Sequence, residues 1–489
     1  MTDTEIINFI LTQPEGQGFE CKRAAAKPSR FLETVVAFAN ADGGLFVIGI
    51  EDPAKASGLD RLIGISEGRD NVSDFFKLLD REIDPQLPAI QKFEIVVTNH
   101  VGQQDSICLV AVNKSNDVHS LKNGDTYMRV GNQNAKIGST QIVRLKYAKG
   151  TICYESETTG IETLDVLEMG LLEKYKTDTG SYAADIWQFL KDNGLALISL
   201  GQSQLTKGCV HLFSKNPAVI LGTKCSIKIS HYHGLQQTFT GEPNFVRRPF
   251  TIEGPLMQQI TQAGDYFRNV VRSSPPKLSG GTFRPTMLIP EWVFQEAITN
   301  AVIHRDYSLS DDIHIRIFDN RVEIESPGSY PGHITPANIR QERFARNPLI
   351  LRVLNRFSNA PNLDIGEGVD RMFQLMRALN LYEPLYLPAQ LKPHSVMVVL
   401  FNLQRIEYWD TVSHYLDKHL FITNKKARAV TGINDTLKMS KLLRTWLEQG
   451  LLEKQEIGGK KGTTYNKPGA LKLDPLFSKG LDNSSKNRE

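Results

Sequence analysis

No stretch of about 18 consecutive apolar residues occurs in the chain, so no membrane-spanning helix is expected. The N-terminus MTDTEIINFI lacks a basic flank and carries Asp3 and Glu5 instead, which argues against a secretory signal and for a cytoplasmic protein. Cysteine is scarce. Cys21, Cys108, Cys153, Cys209 and Cys225 are scattered without a C-x-x-C pair, which argues against a disulfide framework or a zinc site and suits buried thiols in a reducing compartment. Charge of one sign is lacking too: a net charge of +3 over 489 residues is too small to imply a polyanionic partner. No internal repeat and no G-x-x-x-x-G-K-[ST] loop is present, which excludes a solenoid and a P-loop motor.

What is present is enough apolar sequence, 40% of residues, for several cores, so three or four domains are expected. The first 135 or so residues read as α/β. SRFLETVVAFANADGG places Phe31, Val35, Phe38 and Ala39 on one helical face and stops at Gly43-Gly44; LFVIGI follows as a buried strand, with further strands at 93–98, 106–112 and 126–131. Residues 149–272 alternate helical and strand-like patterns without a chemical cluster and read as a connecting α/β region. Ser-Ser-Pro-Pro at 273–276 and Gly280-Gly281 mark a join. A helix from Pro290, strands DIHIRIFDN and RVEIESPG, helices from Arg346 to Leu379 and a closing strand at 393–402 make up a unit at 273–403. The tail 476–489 is expected to be disordered.

The charge is not evenly spread. Between Phe421 and Lys467 there are ten Lys and Arg against four Asp and Glu. Within 404–475, one helix suits 405–420, a second suits Asn424 to Thr431, Gly432 makes a turn, and Asn434 or Asp435 caps a third helix running to Gln449. LLEKQEI and TTYNK then form two strands around a basic GGKKG tip. The third helix offers Leu442, Leu443, Trp446 and Leu447 to a core. Thr436, Lys438, Lys441 and Arg444 are placed to face a DNA groove, and Lys460 and Lys461 to meet a phosphate. From Thr423 to Lys467 the segment resembles the winged helix of many bacterial regulators; such modules also dock proteins or dimerise.

EGQGFECKR followed by FANADGGLFVIGIED, with YMRVGN further on, resembles the Schlafen-like AlbA-type domain in its DNA-binding bacterial form, over about residues 10–135. The resemblance implies that Glu15 and Glu20, five residues apart, and Asp52, or Glu51 beside it, correspond to the carboxylates of the nuclease members, with Cys21 where Phe is usual. Three converging carboxylates hold Mg²⁺ or Mn²⁺ and activate water for phosphodiester cleavage. The alternative is that Glu15 sits at a helix end, Glu20 pairs with Lys22 or Arg23, and the domain binds without cutting.

Glu296 and Asn300 lie four residues apart, on one helical face. EAITNAVIHRDY resembles the N-box of the GHKL ATPase fold, an α/β sandwich. With RVEIESPGSYPG, RNP at 346–348 and GEGVDRM at 366–372, the stretch 284–402 is similar to proteins related to the RecG helicase C-terminus. The resemblance implies that Glu296 orients water, Asn300 binds Mg²⁺, and Gly328, Gly366 and Gly368 let the backbone approach an ATP phosphate. Ser326 stands where the fold usually supplies the aspartate that meets adenine, a departure that bears on ATP binding. His304, Arg305 and Asp306 either brace the site or pair with one another. Together these features point to a cytoplasmic DNA-binding regulator, dimeric on two half-sites, with ATP and Mg²⁺ as cofactors. A metal-dependent nuclease acting on tRNA or DNA and an interaction scaffold without catalysis are the alternatives; no membrane partner is expected.

Overall fold

The computed structural model describes residues 3–468 except 89, 200, 239, 273–276, 280–281, 285–286, 362–365, 388–391, 393, 420 and 457–462. The expected joins at 273–276 and 280–281, the GGKKG tip with Lys460 and Lys461, and the tail 476–489 lie outside the described residues. Mixed α/β architecture prevails throughout. The chain divides into two compact units, 1–151 with 408–489, and 152–407. Among the described residues, no helix is long and apolar enough to cross a membrane.

The N-terminal part of the first unit is a four-stranded sheet in the order Phe19–Lys22, Gly44–Ile48, Gln104–Val112, Gln91–Thr98. Its first pair is parallel and the others antiparallel. The helix Pro28–Asn40 makes that parallel crossover possible; Pro28 opens it at the first turn, where a missing N–H costs nothing. Phe31, Val35, Phe38 and Ala39 are all buried, as the periodicity predicts, and Phe31 meets Phe46 and Phe75 with ring centroids 5.6 and 5.5 Å away. Among the elements the sequence reading did not name are the strand Phe19–Lys22, the helix Arg69–Glu82 and the strand Gln133–Ile137, which pairs as a hairpin with the expected Thr126–Val130.

At the other end of the first unit, Trp409–Lys418, Asn424–Thr431 and Thr436–Glu448 are helices, followed by the strands Glu453–Glu456 and Thr463–Asn466. A two-residue strand, Ile422–Thr423, completes a three-stranded sheet. The expected order is present, with the first helix shorter because Tyr408 before it takes a left-handed conformation. Thr423 caps the second helix, Gly432 ends it at φ 74°, and Asp435 caps the third by accepting from Leu437 N–H and Lys438 N–H. Met439, Leu443 and Trp446 are its buried face; Leu442 and Leu447 are only half-buried.

The second unit holds a six-stranded sheet in the order Phe245–Ile252, Ile227–Tyr232, Ile313–Ile317, Arg321–Pro327, Ser395–Phe401, Leu385–Tyr386. The sequence reading separates 149–272 from 273–403. The structure corrects this: Ile227–Tyr232 pairs in parallel with Ile313–Ile317, so the sheet crosses the expected boundary. The core crosses it as well, running from Leu167 through Leu256 to Leu400. Buried Glu155 accepts hydrogen bonds from Leu349 N–H (2.6 Å) and Ile350 N–H (2.7 Å), capping the helix Pro348–Asn355 from the supposed connector. Alternating burial along 313–317 and 321–327 gives the sheet one apolar face, on which the helix Glu291–Ile303 packs. The other face carries ion pairs, Arg316 and Lys392 both meeting Glu325 at 2.6 and 2.9 Å.

Candidate functional site

The helix Glu291–Ile303 borders a cavity. Trp292, Glu296 and Asn300, with His304 just past its end, recur every four residues and so share one face, and all four line a cavity of about 620 Å³. That volume suits a nucleotide-sized molecule. Ile324, Val396 and Val398 of the sheet give it an apolar floor, and Gly366 and Gly368 lie in its wall.

Asn300 Nδ2 donates to Glu296 Oε1 at 3.0 Å, which leaves the amide oxygen of Asn300 for another partner. Burial pushes the Glu296 carboxyl above its ordinary range; the Asn300 hydrogen bond and Arg371 only partly offset this. Burial likewise pushes the neighbouring Tyr386 phenol up, with Glu296 adding to the effect. One amide oxygen beside one carboxylate fits a Mg²⁺ ion that takes its remaining ligands from phosphate and water. Ser326 lines the cavity but donates its hydroxyl proton to Ala301 C=O at 2.7 Å.

The glycines are not equivalent. A Cβ at Gly368 would collide with Glu296 Oε1, and one at Gly366, whose φ is 69°, with the Arg343 side chain; the chain's own groups fill both open sides. Gly328 is absent from the cavity lining, and its open side faces Arg346 and Asp306. His304, Arg305 and Asp306 brace rather than pair. Arg305 donates to the carbonyls of Lys224, Leu309 and Asp311. Arg346 donates to His304 C=O (3.0 Å) and Ser329 C=O, and Asn347 to the carbonyls of Ile303 and Arg305. Burial lowers the pKa of His304 to about 4, so its ring is neutral at pH 7.

In the first unit, Glu15, Glu20 and Asp52 share a neighbourhood. Burial raises the Glu15 pKa, Glu20 raises it further, and Asp52 adds a smaller push. Glu15 Oε1 accepts from Cys21 N–H at 3.1 Å. Glu20, however, forms ion pairs with both Lys22 and the fully buried Arg129. Arg129 also donates to Gly16 C=O (2.9 Å) and Phe19 C=O (3.3 Å), so one guanidinium holds the carboxylate-bearing loop. Arg23 pairs instead with Glu51 (3.0 Å) and Glu67. Asp52 is exposed, its Oδ1 accepting from Ala54 N–H at 2.8 Å. Among the described residues, no three His, Cys, Asp or Glu side chains are grouped to hold a metal. A Mg²⁺ or Mn²⁺ ion therefore does not fit the three carboxylates as they stand. Arg129 is the residue that the sequence reading missed; its only signal was a basic residue inside YMRVGN.

On the helix Thr436–Glu448, Thr436, Lys438, Lys441 and Arg444 are all exposed, opposite Met439, Leu443 and Trp446. Leu437 stands among them, 80% exposed.

Residues 15–138 match the family model described as Schlafen, AlbA_2, and residues 310–400 match the one described as "Putative ATP-dependent DNA helicase recG C-terminal". The two matches support a Schlafen/AlbA-type protein related to RecG. Glu296 and Asn300 precede the second matched segment. No curated protein matches the chain. A crystal structure of the DIP2311 protein from Corynebacterium diphtheriae is similar over 96% of both chains, with 19% identity and a TM-score of 0.39, a likeness too low to carry inference.

Proposed function

We propose that this Schlafen/AlbA-type chain is a cytoplasmic DNA-binding regulator whose C-terminal winged helix reads duplex DNA and whose RecG-related region, a GHKL-like sandwich, binds ATP with Mg²⁺. The two family matches support a nucleic-acid-related function and, more loosely, nucleotide binding. The observation that carries the DNA reading is the helix Thr436–Glu448. Its buried face is apolar, while Lys438, Lys441 and Arg444 line its solvent face with Thr436, where cations release counterions from a DNA backbone.

In the cavity, Asn300 with Glu296 would hold Mg²⁺, which would neutralise developing charge on a phosphate. Glu296 is placed to orient water, and its raised pKa sets the pH above which it accepts a proton. A homodimer would present two such helices to two half-sites, and nucleotide binding would shift their spacing.

The test is fluorescence anisotropy of the full chain on labelled duplex DNA over a salt series. Binding should weaken steeply with salt, and substituting Lys438, Lys441 and Arg444 together by Gln should lower the log–log salt slope by about 2–3. A slope unchanged by the triple substitution would remove DNA reading from this helix. A second reading, metal-dependent cleavage of tRNA or DNA, draws on the electrostatic coupling of Glu15 to Glu20 and Asp52. It requires Glu20 to leave Arg129, and Mn²⁺-dependent cutting that Glu20→Gln abolishes would establish it.

A further inference from the structure

Two arginines border the cavity. Arg343 and Arg371 both line it, and neither makes a hydrogen bond or ion pair with a carboxylate among the described residues. This is unusual for the surroundings. Nearby Arg340 is bound to Asp370 at 2.6 Å and Arg377 to Glu383 at 2.7 Å, whereas Arg371, one turn into the helix Gly368–Ala378, stacks on Trp292 with its guanidinium 4.9 Å from the ring centroid and acts on Glu296 through its charge without an ion pair among the described residues. Of the cavity carboxylates, Glu342 faces His333 at 3.2 Å and Glu296 is tied to Asn300, which leaves Glu367 at the exposed edge.

The glycines sharpen the point. If a phosphate were held by backbone amides at Gly366 and Gly368, the space left by their missing side chains would have to be open. Arg343 fills the space at Gly366 and Glu296 the space at Gly368. At Gly366 an incoming anion meets a guanidinium before it meets the backbone, whereas at Gly368 it meets the Glu296 carboxyl.

We infer that Arg343 and Arg371 form an anion clamp that reads the polyphosphate of the nucleotide, so that the cavity prefers a nucleoside triphosphate to the bare nucleoside through these two side chains. The inference rests on the nucleotide reading above. Guanidinium suits the task because it is always charged and presents paired N–H donors to phosphate oxygens. The Trp292 ring preorients Arg371, and Arg343, exposed on the other side, is free to swing from Gly366 toward an incoming phosphate.

The experiment is isothermal titration of the full chain with ATP–Mg²⁺ and, separately, with adenosine. The wild type should bind ATP more tightly than adenosine. Arg343→Gln and Arg371→Gln should each reduce ATP affinity about tenfold, leave adenosine affinity unchanged, and leave the thermal unfolding midpoint in place. Arg371→Lys should recover part of the loss and also serves if Arg371→Gln fails to fold. An ATP-to-adenosine affinity ratio unchanged in Arg343→Gln and in Arg371→Lys/Arg343→Gln would overturn the clamp alone. Failure of the wild type to bind either ligand would overturn the nucleotide reading and the clamp with it.

Discussion

Glu20 and Glu296 are both nearly buried glutamates singled out by their spacing to a second polar residue, yet their surroundings are opposite. Glu296 faces a cavity and is partnered by a neutral amide; Glu20 faces no comparable cavity among the described residues and is partnered by two cations. A carboxylate held by an amide keeps a costly charge and a proton to trade. One held by Arg129 and Lys22 has its charge neutralised in place, which serves the fold of the loop. The same residue type, at the same sequence-level visibility, is thus poised for chemistry in one unit and committed to architecture in the other.

The sharpest way to break this comparison is to remove the cation. Arg129 is fully buried, with Glu20 almost so, and Arg129→Met should destabilise the chain by about 3–5 kcal/mol because it strands a buried charge. Adding Glu20→Gln should recover much of that loss, as urea denaturation would show. If Arg129→Met costs under about 1 kcal/mol, Glu20 is not held architecturally and the cleavage reading gains ground. A smaller loss is expected on the other side. Gly368→Ala forces a Cβ into Glu296 Oε1 and should cost about 1–3 kcal/mol while displacing the carboxylate from Asn300. Nucleotide binding by titration should then fall more than stability does; equal binding in the variant would detach Glu296 from the ligand.

Protons separate carboxylates within the second unit too. Against the cost of burial, hydrogen bonds from Lys392, Ser395 and Arg316 hold Glu325 down at about 2. A depressed folded-state pKa contributes stability above the unfolded value of about 4.3, and that stability is lost as pH falls toward 2. Discounted for partial exposure, Glu325→Gln should cost about 1–2 kcal/mol at pH 7 and little near pH 2. Glu296 runs the other way. Its raised pKa means that the protonated form is the one the fold favours, so stability from this group is full below the unfolded value and declines as pH rises through the folded one. Glu296→Gln should therefore stabilise the chain at pH 8 and make little difference at pH 3, and thermal melts at the two pH values that show the reverse order would contradict the burial argument.

How far the sequence shows these features depends on the distance over which each is built. The Glu296–Asn300 pair, the apolar face of Pro28–Asn40 and the caps around Gly432 follow from helical period and local backbone preference, and all are readable from a few neighbouring residues. Arg129 reaches Phe19 across 110 positions, and the parallel pairing of Ile227–Tyr232 with Ile313–Ile317 closes over an expected domain boundary. No local pattern encodes such partners, so the ion pair that commits Glu20 and the sheet that absorbs the supposed connector were both invisible. The cavity arginines failed to show for a different reason: which carboxylates lie beside Arg343 and Arg371 is decided by the fold, and sequence lists only what is there.

The smallest effect concerns the helix proposed to meet DNA, where sequence and structure agree on local detail. Asp435 accepts from Leu437 N–H (2.8 Å) and Lys438 N–H (3.2 Å), satisfying donors that would otherwise be unpaired at the helix start. Asp435→Ala should cost about 1 kcal/mol of stability. It also removes a negative charge beside Lys438, so in low salt the variant should bind duplex DNA as well as the wild type or better if this helix faces the backbone. Weaker binding with a stability loss under about 1 kcal/mol would mean that Asp435 itself contacts the nucleic acid, and that the helix is read from its N-terminus rather than from the Lys438, Lys441 and Arg444 face.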